Sequence, residues 1–311
     1  MLSASKIPWL ELCLIPDMGP VSARKLLSKF KTPANILKAR HSDLVNIAGI
    51  KQNLADNIVK RNNTNLLDKQ IKLIDKYKAN VITINDQSYP ETLRAIYGAP
   101  FILFVQGDIL ADDYFSVAVV GTRACSSYGI GMSDKISSQL SRKGITIISG
   151  GARGIDTSAH KAALRNGGRT IVVLGCGLDI AYPPENNKLF FQIREKGVMI
   201  SEYPFGTSPN RINFPMRNRI VSGLSLGVLV IEAPQRSGAL ITARYALEHG
   251  KEVFSVPHKA GEFSSCGTNH LIRQGAKLVE TADDVIEELA PVIGCKIKEI
   301  KDKEMHQVEN I

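Results

Sequence analysis

The apolar positions in the first quarter of the chain are spaced as in helices. From Leu10 to about Tyr77 they recur every three or four residues, and no strand-like alternation with polar positions interrupts them. This spacing predicts several short helices. We therefore place a small all-helical domain over residues 1–80.

The pattern changes after residue 80. Two short apolar runs, 81–84 and 101–105, predict strands within a connector over residues 81–110. Beyond it, apolar strands alternate with helices. The predicted strands are 116–120, 145–149, 170–174, 198–201, 226–231, 252–256 and 277–279. The predicted helices are 130–143, 157–166, 184–196, 215–222, 239–249 and 269–274.

Several of these strands are apolar on both faces, most clearly residues 227–231. That pattern is typical of a parallel sheet covered by helices on both sides. The predicted fold class is α/β, with an extended Rossmann-like, doubly wound, mostly parallel sheet over residues 111–290. We expect the tail over residues 291–311, rich in Lys and Glu, to be a frayed helix or disordered.

One pattern occurs twice in the helical part. Residues 14–27 and 44–59 each combine a helix end, a glycine turn and a second helix with a small alanine. This resembles the helix-hairpin-helix (SAM-like) motif, whose backbone N–H groups hold DNA phosphates at the start of the second helix. The match is partial. The first copy keeps Gly19 but has Asp17 at the other glycine position, and the second keeps only Gly49. A structural hairpin and a DNA-binding hairpin both fit.

Composition limits the class of protein. The chain has 44% hydrophobic and 22% charged residues, which is typical of a folded domain. Its longest apolar runs are too short for a spanning helix, and residues 1–8 do not resemble a signal peptide, so we expect a cytoplasmic protein with no membrane partner. Five scattered cysteines, none in a Cys-x-x-Cys pair, predict neither a disulfide framework nor a zinc site.

Positive charge is concentrated in two regions. The net charge is +9, and residues 1–80 carry +8 while residues 115–275 carry +9. A field of one sign attracts phosphate chains, so this distribution favours a polyanionic partner. A basic surface that merely aids solubility explains the charge equally well.

Ligands of doubly wound sheets bind beyond the carboxyl ends of the strands. The first loop there, 121–129, lacks the G-x-G-x-x-G spacing, and no acidic residue ends the next strand, so we expect no NAD or other cofactor. The second loop, 149–156, places three glycines and Arg153 before a helix. Exposed amides, the helix dipole and a guanidinium together favour phosphate binding. Glycines needed only for a tight turn would not explain Arg153.

The segment 209–219 is the most informative. Asn213 is the predicted N-cap and Pro215 suits the first turn of a helix. Arg217 and Arg219 would then lie in the first turn, where a cation is unfavourable against the helix dipole. Such an arrangement makes sense if an anion binds there.

Phe214 stands beside these arginines and Arg211. Its position predicts an aromatic platform on which a nucleobase stacks, like the aromatic side chains of single-strand binders. The alternatives are a core phenylalanine, and surface arginines paired with nearby glutamates.

No carboxylate pair, Ser/His/Asp set or metal-ligand cluster stands out, so we do not expect an enzyme. His160 follows the glycine loop and is predicted to pack or cap rather than to act as a base. Asp156 is predicted to cap its helix or fix the loop. Glu202 and Glu232, at strand ends, are predicted to hold groove arginines in position.

Several motifs, in the right order over about residues 5–290, resemble the DNA-processing protein A (DprA/Smf) family. They are Gly121-Thr122-Arg123, the run 149–156 with Ala159-His160, Phe214-Pro215 followed by Arg217-Asn218-Arg219, and the run 237–243.

The resemblance implies a protein that binds single-stranded DNA without sequence preference and protects incoming DNA. It also implies a homodimer that loads the RecA recombinase during natural transformation and recombination, with no known enzymatic activity. Many members carry a further winged-helix domain, for which the residues after Ala290 are too few. The implied DNA- and phosphate-binding residues are Arg123, Ser149, Gly150, Gly151, Arg153, Gly154, Arg211, Phe214, Arg217, Asn218 and Arg219.

Two other functions stay open. A nucleoside-monophosphate phosphoribohydrolase of the cytokinin-activating type shares the scaffold, but its P-G-G-x-G-T-x-x-E glutamate has no counterpart in the loop 233–242. The second is a sensor of free nucleotide that signals to a partner.

A surface formed by residues 252–256 and 269–274 is the predicted dimer contact.

Overall fold

The structure, a computed structural model, describes residues 2–61, 63–262, 264 and 266–308. The α-helices are α1 (Ile7–Cys13), α2 (Pro20–Phe30), α3 (Pro33–Leu37), α4 (His41–Val45), α5 (Gln52–Lys60), α6 (Thr64–Lys76), α7 (Glu91–Arg94), α8 (Ser127–Arg142), α9 (Ile155–Arg165), α10 (Asn187–Lys196), α11 (Asn213–Leu224), α12 (Gly238–Glu248), α13 (Cys266–Arg273) and α14 (Ala282–Val308). The strands are β1 (Asn80–Thr83), β2 (Ile102–Gln106), β3 (Ser116–Val120), β4 (Thr146–Ser149), β5 (Thr170–Leu174), β6 (Val198–Ser201), β7 (Gly227–Val230), β8 (Glu252–Ser255) and β9 (Lys277–Leu278).

These strands form a single sheet in the order β1-β2-β6-β5-β4-β3-β7-β8-β9. All pairs from β6 to β9 are parallel, whereas β1 and β2 add an antiparallel edge. The predicted α/β, doubly wound fold is therefore confirmed. The chain moves outward from β3 through β4, β5 and β6, then crosses back to β7 beside β3. In such sheets the strand order reverses at this point and a crevice opens at the carboxyl ends.

Helices cover both faces of the sheet, as its fully apolar strands require. On one face, α8, α9 and α14 bury apolar side chains against β3, β4 and β7. On the other, α7, α11, α12 and α13 do the same. Helix α10 packs on β5 and β6. None of the helices in the described part of the chain combines the length and the hydropathy needed to cross a bilayer.

The segment predicted as a connector, 81–110, contributes two strands to this same sheet. Strand β2 is buried along its whole length and pairs with β6 through Phe104 opposite Ser201. Because β2 has apolar side chains on both faces, both of its faces must be covered, and the strand lies inside the sheet between β1 and β6. The segment thus extends the sheet rather than merely linking two parts.

The helical region has the two predicted hairpins, α1 to α2 and α4 to α5. The turns use left-handed backbone at Asp17 (φ 64°) and Gly49 (φ 82°), so Asp17 takes the conformation that glycine adopts easily. The small alanines of the two second helices, Ala23 and Ala55, are fully buried, as predicted for close helix packing.

This region shares a hydrophobic core with the sheet. Helix α6 reaches the segment after β6, where the Gln70 amide donates to the Phe205 carbonyl at 2.9 Å and accepts from the Phe205 N–H at 3.0 Å. The Tyr77 ring stacks on Phe205 with centroids 5.4 Å apart. The helices are therefore packed on the edge of the sheet.

The C-terminal helix begins inside the predicted Rossmann region. Helix α14 starts at Ala282, buries Val285 and Leu289, and continues through the predicted tail to Val308. The Lys296 ammonium lies 2.5 Å from a Glu91 carboxylate oxygen. Residues 309–311 of the predicted tail lie outside the described residues.

Candidate nucleic-acid interface

A narrow cavity opens at the carboxyl edge of the sheet, between the loops that follow β3, β4 and β5 and the start of α11. The loop after β3 is tied to the loop after β7 because the Thr122 N–H donates to the Glu232 carbonyl at 2.7 Å. The cavity holds about 10 Å³, which is about the room of one water. Eight residues of the described chain line it: Arg123, Gly150, Ala152, Arg153, Tyr182, Pro183, Phe214 and Arg217.

The glycine loop after β4 approaches its neighbours too closely for side chains. A Cβ at Gly150 would overlap the Arg217 guanidinium, and one at Gly154 would lie 2.8 Å from the Arg123 carbonyl oxygen. Gly151 and Gly154 also have positive φ, 69° and 76°. The loop therefore needs glycine both for conformation and for contact. These contacts bring its backbone against two of the arginines that line the cavity.

Arg217 forms the floor of the cavity and is only 4% exposed. Its Nη1 donates to the carbonyls of Gly150 and Val173, and its Nε donates to the Asn218 side-chain oxygen at 3.2 Å. Burial lowers the pKa of Arg217, and the nearby Asp156 carboxylate opposes that effect. Arg217 thus ties α11 to the ends of β4 and β5 while bringing positive charge into the site.

Asp156 is the buried partner of this charge. The carboxylate is 6% exposed and accepts the Ala152 N–H at 3.2 Å, which fixes the glycine loop as predicted. Burial raises the pKa of Asp156, and the Arg217 charge partly offsets the rise. The electrostatic interaction between these two buried side chains favours the charged form of each.

The predicted start of α11 is wrong. The helix begins at Asn213, which makes no side-chain cap, and Ile212 holds the N-cap position. Asn210 instead accepts the Ile212 N–H on its side-chain oxygen at 3.0 Å, a local turn that starts the helix earlier. Arg217 is therefore the fifth helical residue and lies beyond the first turn. Its position is explained by burial against the glycine loop, not by opposition to the helix dipole.

Phe214 lies at the mouth of the cavity and is half-buried. Its ring stacks on Tyr182, with centroids 5.4 Å apart and planes 27° from parallel. The Arg123 guanidinium lies 5.5 Å from the centroid of the same ring. A Cβ at Gly175 would lie 2.9 Å from the Phe214 ring, so the backbone also fixes the ring. The site therefore offers an aromatic pair beside an exposed cation.

Arg153 is exposed at the rim of the cavity and is paired with Glu185. Its Nε donates to one Glu185 carboxylate oxygen and its Nη2 to the other at 3.1 Å. Sequence reasoning missed Glu185, as well as the stacking role of Tyr182. An aromatic followed by two prolines directly after a glycine-rich loop was the available signal for Tyr182. Arg153 and Glu185 are 32 residues apart in the sequence, so no local pattern indicates that they pair.

Six predicted site residues do not line the cavity. Gly151 and Gly154 belong to the glycine loop beside it, and the other four lie apart from it or use their polar groups in other contacts. Arg219 is 4% exposed and is bound by Glu202, with Nη2 at 2.5 and 2.6 Å from the two carboxylate oxygens. Two positions along a helix rotate a side chain by about 200°, so Arg219 and Arg217 project to opposite sides. The Ser149 hydroxyl is buried and donates to Val119, and the Asn218 amide donates to Gly238. Arg211 is exposed in the turn before α11.

The two strand-end glutamates have different roles. Glu202 holds an arginine as predicted, although Arg219 is outside the cavity. Glu232 instead accepts the Ser126 N–H at 3.0 Å and the Ser126 hydroxyl at 2.9 Å, which fixes the loop before α8.

His160 is a packed residue. It is fully buried, and its Nδ1 lies 2.6 Å from the Thr170 hydroxyl oxygen, which itself donates to Ile147. Nδ1 is therefore the protonated nitrogen. Burial, with the Arg217 charge, lowers the pKa of His160 to about 3, so it is neutral at pH 7. Within the residues that the structure describes, no cluster of His, Cys, Asp and Glu has the arrangement of a metal site.

Comparison with known proteins agrees with this architecture. Residues 80–290 match the family described as "DNA recombination-mediator protein A", and residues 10–61 match "SAM-like Helix-hairpin-helix tandem". Protein Smf of Synechocystis is 38% identical over 94% of this chain and 74% of its own length. DNA processing protein DprA of Streptococcus pneumoniae is 46% identical over 66% of this chain and 73% of its own length.

Two solved structures extend the comparison. The X-ray structure of S. pneumoniae DprA superposes with a TM-score of 0.81 at 36% identity, covering 93% of this chain and 99% of that one. A Helicobacter pylori DNA processing protein A structure, described for its single-stranded DNA binding mode, has a TM-score of 0.61 at 30% identity, covering 69% and 96%. The fold, the order of the motifs and these relatives together place the chain in the DNA processing protein A (DprA/Smf) family.

Proposed function

We propose that this protein binds single-stranded DNA, without sequence preference, across the cavity at the carboxyl edge of the sheet. The observation that carries the proposal is the aromatic pair of Tyr182 and Phe214 beside the Arg123 guanidinium. Aromatic faces stack on any base and guanidinium groups bind the backbone phosphates, so the combination suits a strand of any sequence. The H. pylori relative, whose description names single-stranded DNA binding, supports the same ligand.

The character of the cavity favours binding over catalysis. Of the eight described residues that line it, three are arginines, two are aromatic and none is a carboxylate. A phosphoribohydrolase needs a carboxylate at the reacting centre, and of the two nearby acids Asp156 is buried under the loop and Glu185 is bound by Arg153. Incubation with nucleoside monophosphates should therefore release no free base. Weak binding of free nucleotides relative to a DNA strand would argue against a nucleotide sensor.

We expect affinity for single-stranded DNA to fall steeply with salt. Each cation that neutralises a phosphate contributes about 0.7 to the slope of log affinity against log salt for a single strand. Arg123→Ala should lower that slope by about 0.7 and weaken binding to all sequences alike. Fluorescence anisotropy with labelled oligonucleotides of several sequences, between about 50 and 300 mM salt, measures both quantities.

Exposed Arg244, on the outer face of α12, provides the control. Arg244→Ala should change neither affinity nor slope. Affinity that is independent of salt, or an equal effect of the two substitutions, would contradict the proposed interface.

The family further suggests that the protein acts in the cytoplasm as a homodimer and brings a RecA-type recombinase onto the strand. We expect the protein to shorten the lag in RecA ATP hydrolysis on strands already covered by a single-strand-binding protein. Phe214→Ala should abolish that effect if the strand must be held in the cavity. An unchanged lag with active protein would remove the recombinase from the proposal, and sedimentation velocity tests the dimer separately.

A further inference from the structure

Glu185 engages Arg153 in the way a phosphate would. The two carboxylate oxygens take Nε and Nη2, the same fork by which a guanidinium binds two oxygens of one phosphate. The side chains are 54% and 50% exposed, so solvent and ligand reach both. A strand that uses this guanidinium must first displace the carboxylate.

The segment that carries Glu185 is fixed to the glycine loop. Asn186, only 4% exposed, donates from Nδ2 to the Gly151 carbonyl at 3.0 Å and to the Thr157 hydroxyl at 2.7 Å. On the other side of Glu185, Tyr182 stacks on Phe214. The carboxylate is therefore held beside the cavity by contacts on both sides, unlike a charge on a free surface helix.

The other two arginines of the cavity lack such an exposed competitor. Arg217 is buried and donates to the backbone carbonyls of Gly150 and Val173. Arg123 is exposed, and among the described residues it forms no salt bridge, its contact being the ring of Phe214. Arg153 is thus the cavity arginine whose exposed charge is already neutralised by an acid in the unbound protein.

We infer that Glu185 is a built-in competitor that exchanges with a DNA phosphate on Arg153 and speeds the release of the strand. The inference rests on the proposed function, because it concerns the same interface. When a phosphate leaves Arg153, the Glu185 carboxylate binds the guanidinium again, so the phosphate does not rebind there. A protein that passes its strand to another protein benefits from such exchange, since a bound strand is then released more readily.

This exchange has a distinctive salt dependence. When a phosphate takes Arg153, the strand loses a counterion, but the displaced Glu185 carboxylate remains beside the strand as an unpaired negative charge that attracts cations. The net release at this contact is therefore reduced, so Arg153 adds less than about 0.7 to the salt slope of the unmodified protein. Removing the carboxylate charge restores the full contribution, about 0.7 for a single strand.

The test is Glu185→Gln, which keeps the size of the side chain and removes its charge. We expect affinity for a labelled oligonucleotide to rise about two- to fivefold, the range for an exposed ion pair. The salt slope should steepen by up to about 0.7, and stopped-flow competition should show the gain mainly as slower dissociation.

Two controls isolate the pair. Glu195→Gln, at an exposed acid of α10 near Arg194, removes the same charge away from the cavity and should change little. Glu185→Gln should also have no effect in an Arg153→Ala background. Equal gains from Glu195→Gln, an unchanged slope, or weaker binding by Glu185→Gln would overturn the inference. If the unmodified protein binds no single-stranded DNA, the proposed function fails instead.

Discussion

Arg217→Ala should lower the free energy of unfolding at pH 7 by about 2–4 kcal/mol, because buried carbonyls lose their donor and a buried carboxylate loses a nearby positive charge. The substitution removes the charge that opposes the burial of Asp156 and breaks the bonds to Gly150 and Val173. An unpaired carboxylate is then left in the interior. Equilibrium unfolding in urea, followed by circular dichroism, measures the loss.

The loss should depend on pH with a defined sign. Burial already raises the pKa of Asp156, and without Arg217 the pKa of this carboxyl in the folded protein rises further. A carboxyl with a raised folded pKa makes the folded state lose stability as pH increases above the unfolded value, about 4. The defect of Arg217→Ala should therefore be smallest near pH 4.5 and largest at neutral pH.

A second substitution separates folding from DNA contact. Arg217→Ala/Asp156→Asn removes both charges, so it should recover much of the stability lost at pH 7. Its DNA affinity should stay low if the Arg217 charge acts on the strand, and return if Arg217 only holds the loop. An equal loss of stability at pH 4.5 and pH 7, with no recovery in the double variant, would show that the pair does not couple.

Much of the sheet could be predicted because burial on both faces leaves a strong local signal. The bounds of β3, β5 and β6 agree with the predicted strands, and every residue of these strands is buried. Pairing is a different matter. The strand character of β2 is local and was predicted, but its antiparallel contact with β6 depends on tertiary packing across about 95 residues, so the sequence placed the strand in a connector.

The sequence around Arg217 contains a local pattern that indicates burial, although a charged side chain is usually exposed. Arg217 shares one helical stripe with Ile220, Val221 and Leu224, all of which are buried. A charged residue at i of an apolar i, i+3, i+4, i+7 pattern lies on the buried face. Asp156 occupies the same place in the stripe of α9. Two opposite charges on the buried stripes of these helices indicate that each lies near the sheet and offsets part of the other's burial.

Phe214→Ala should weaken single-stranded DNA binding about five- to hundredfold, the range for loss of one stacked base. The ring is half-buried and contacts Tyr182 and Arg123 at the cavity mouth, so its exposed part is available to a base. Phe214→Tyr and Phe214→Trp keep an aromatic face and should retain most of the affinity. Phe214→Leu should not. Anisotropy titrations and denaturant midpoints on the same variants provide the measurement.

Phe191 offers a matched control on α10. It is 57% exposed and has the Arg194 guanidinium 4.8 Å from its ring, so it repeats the arrangement of Phe214 and Arg123 outside the cavity. Phe191→Ala should leave DNA affinity unchanged. A core role for Phe214 predicts the opposite pattern: a stability loss of about 3–5 kcal/mol, with Leu restoring binding as well as Tyr. Gly175 and Tyr182 hold the ring on two sides and the Arg123 guanidinium lies over it, so retained stability with lost affinity would assign Phe214 to contact with the strand rather than to the core.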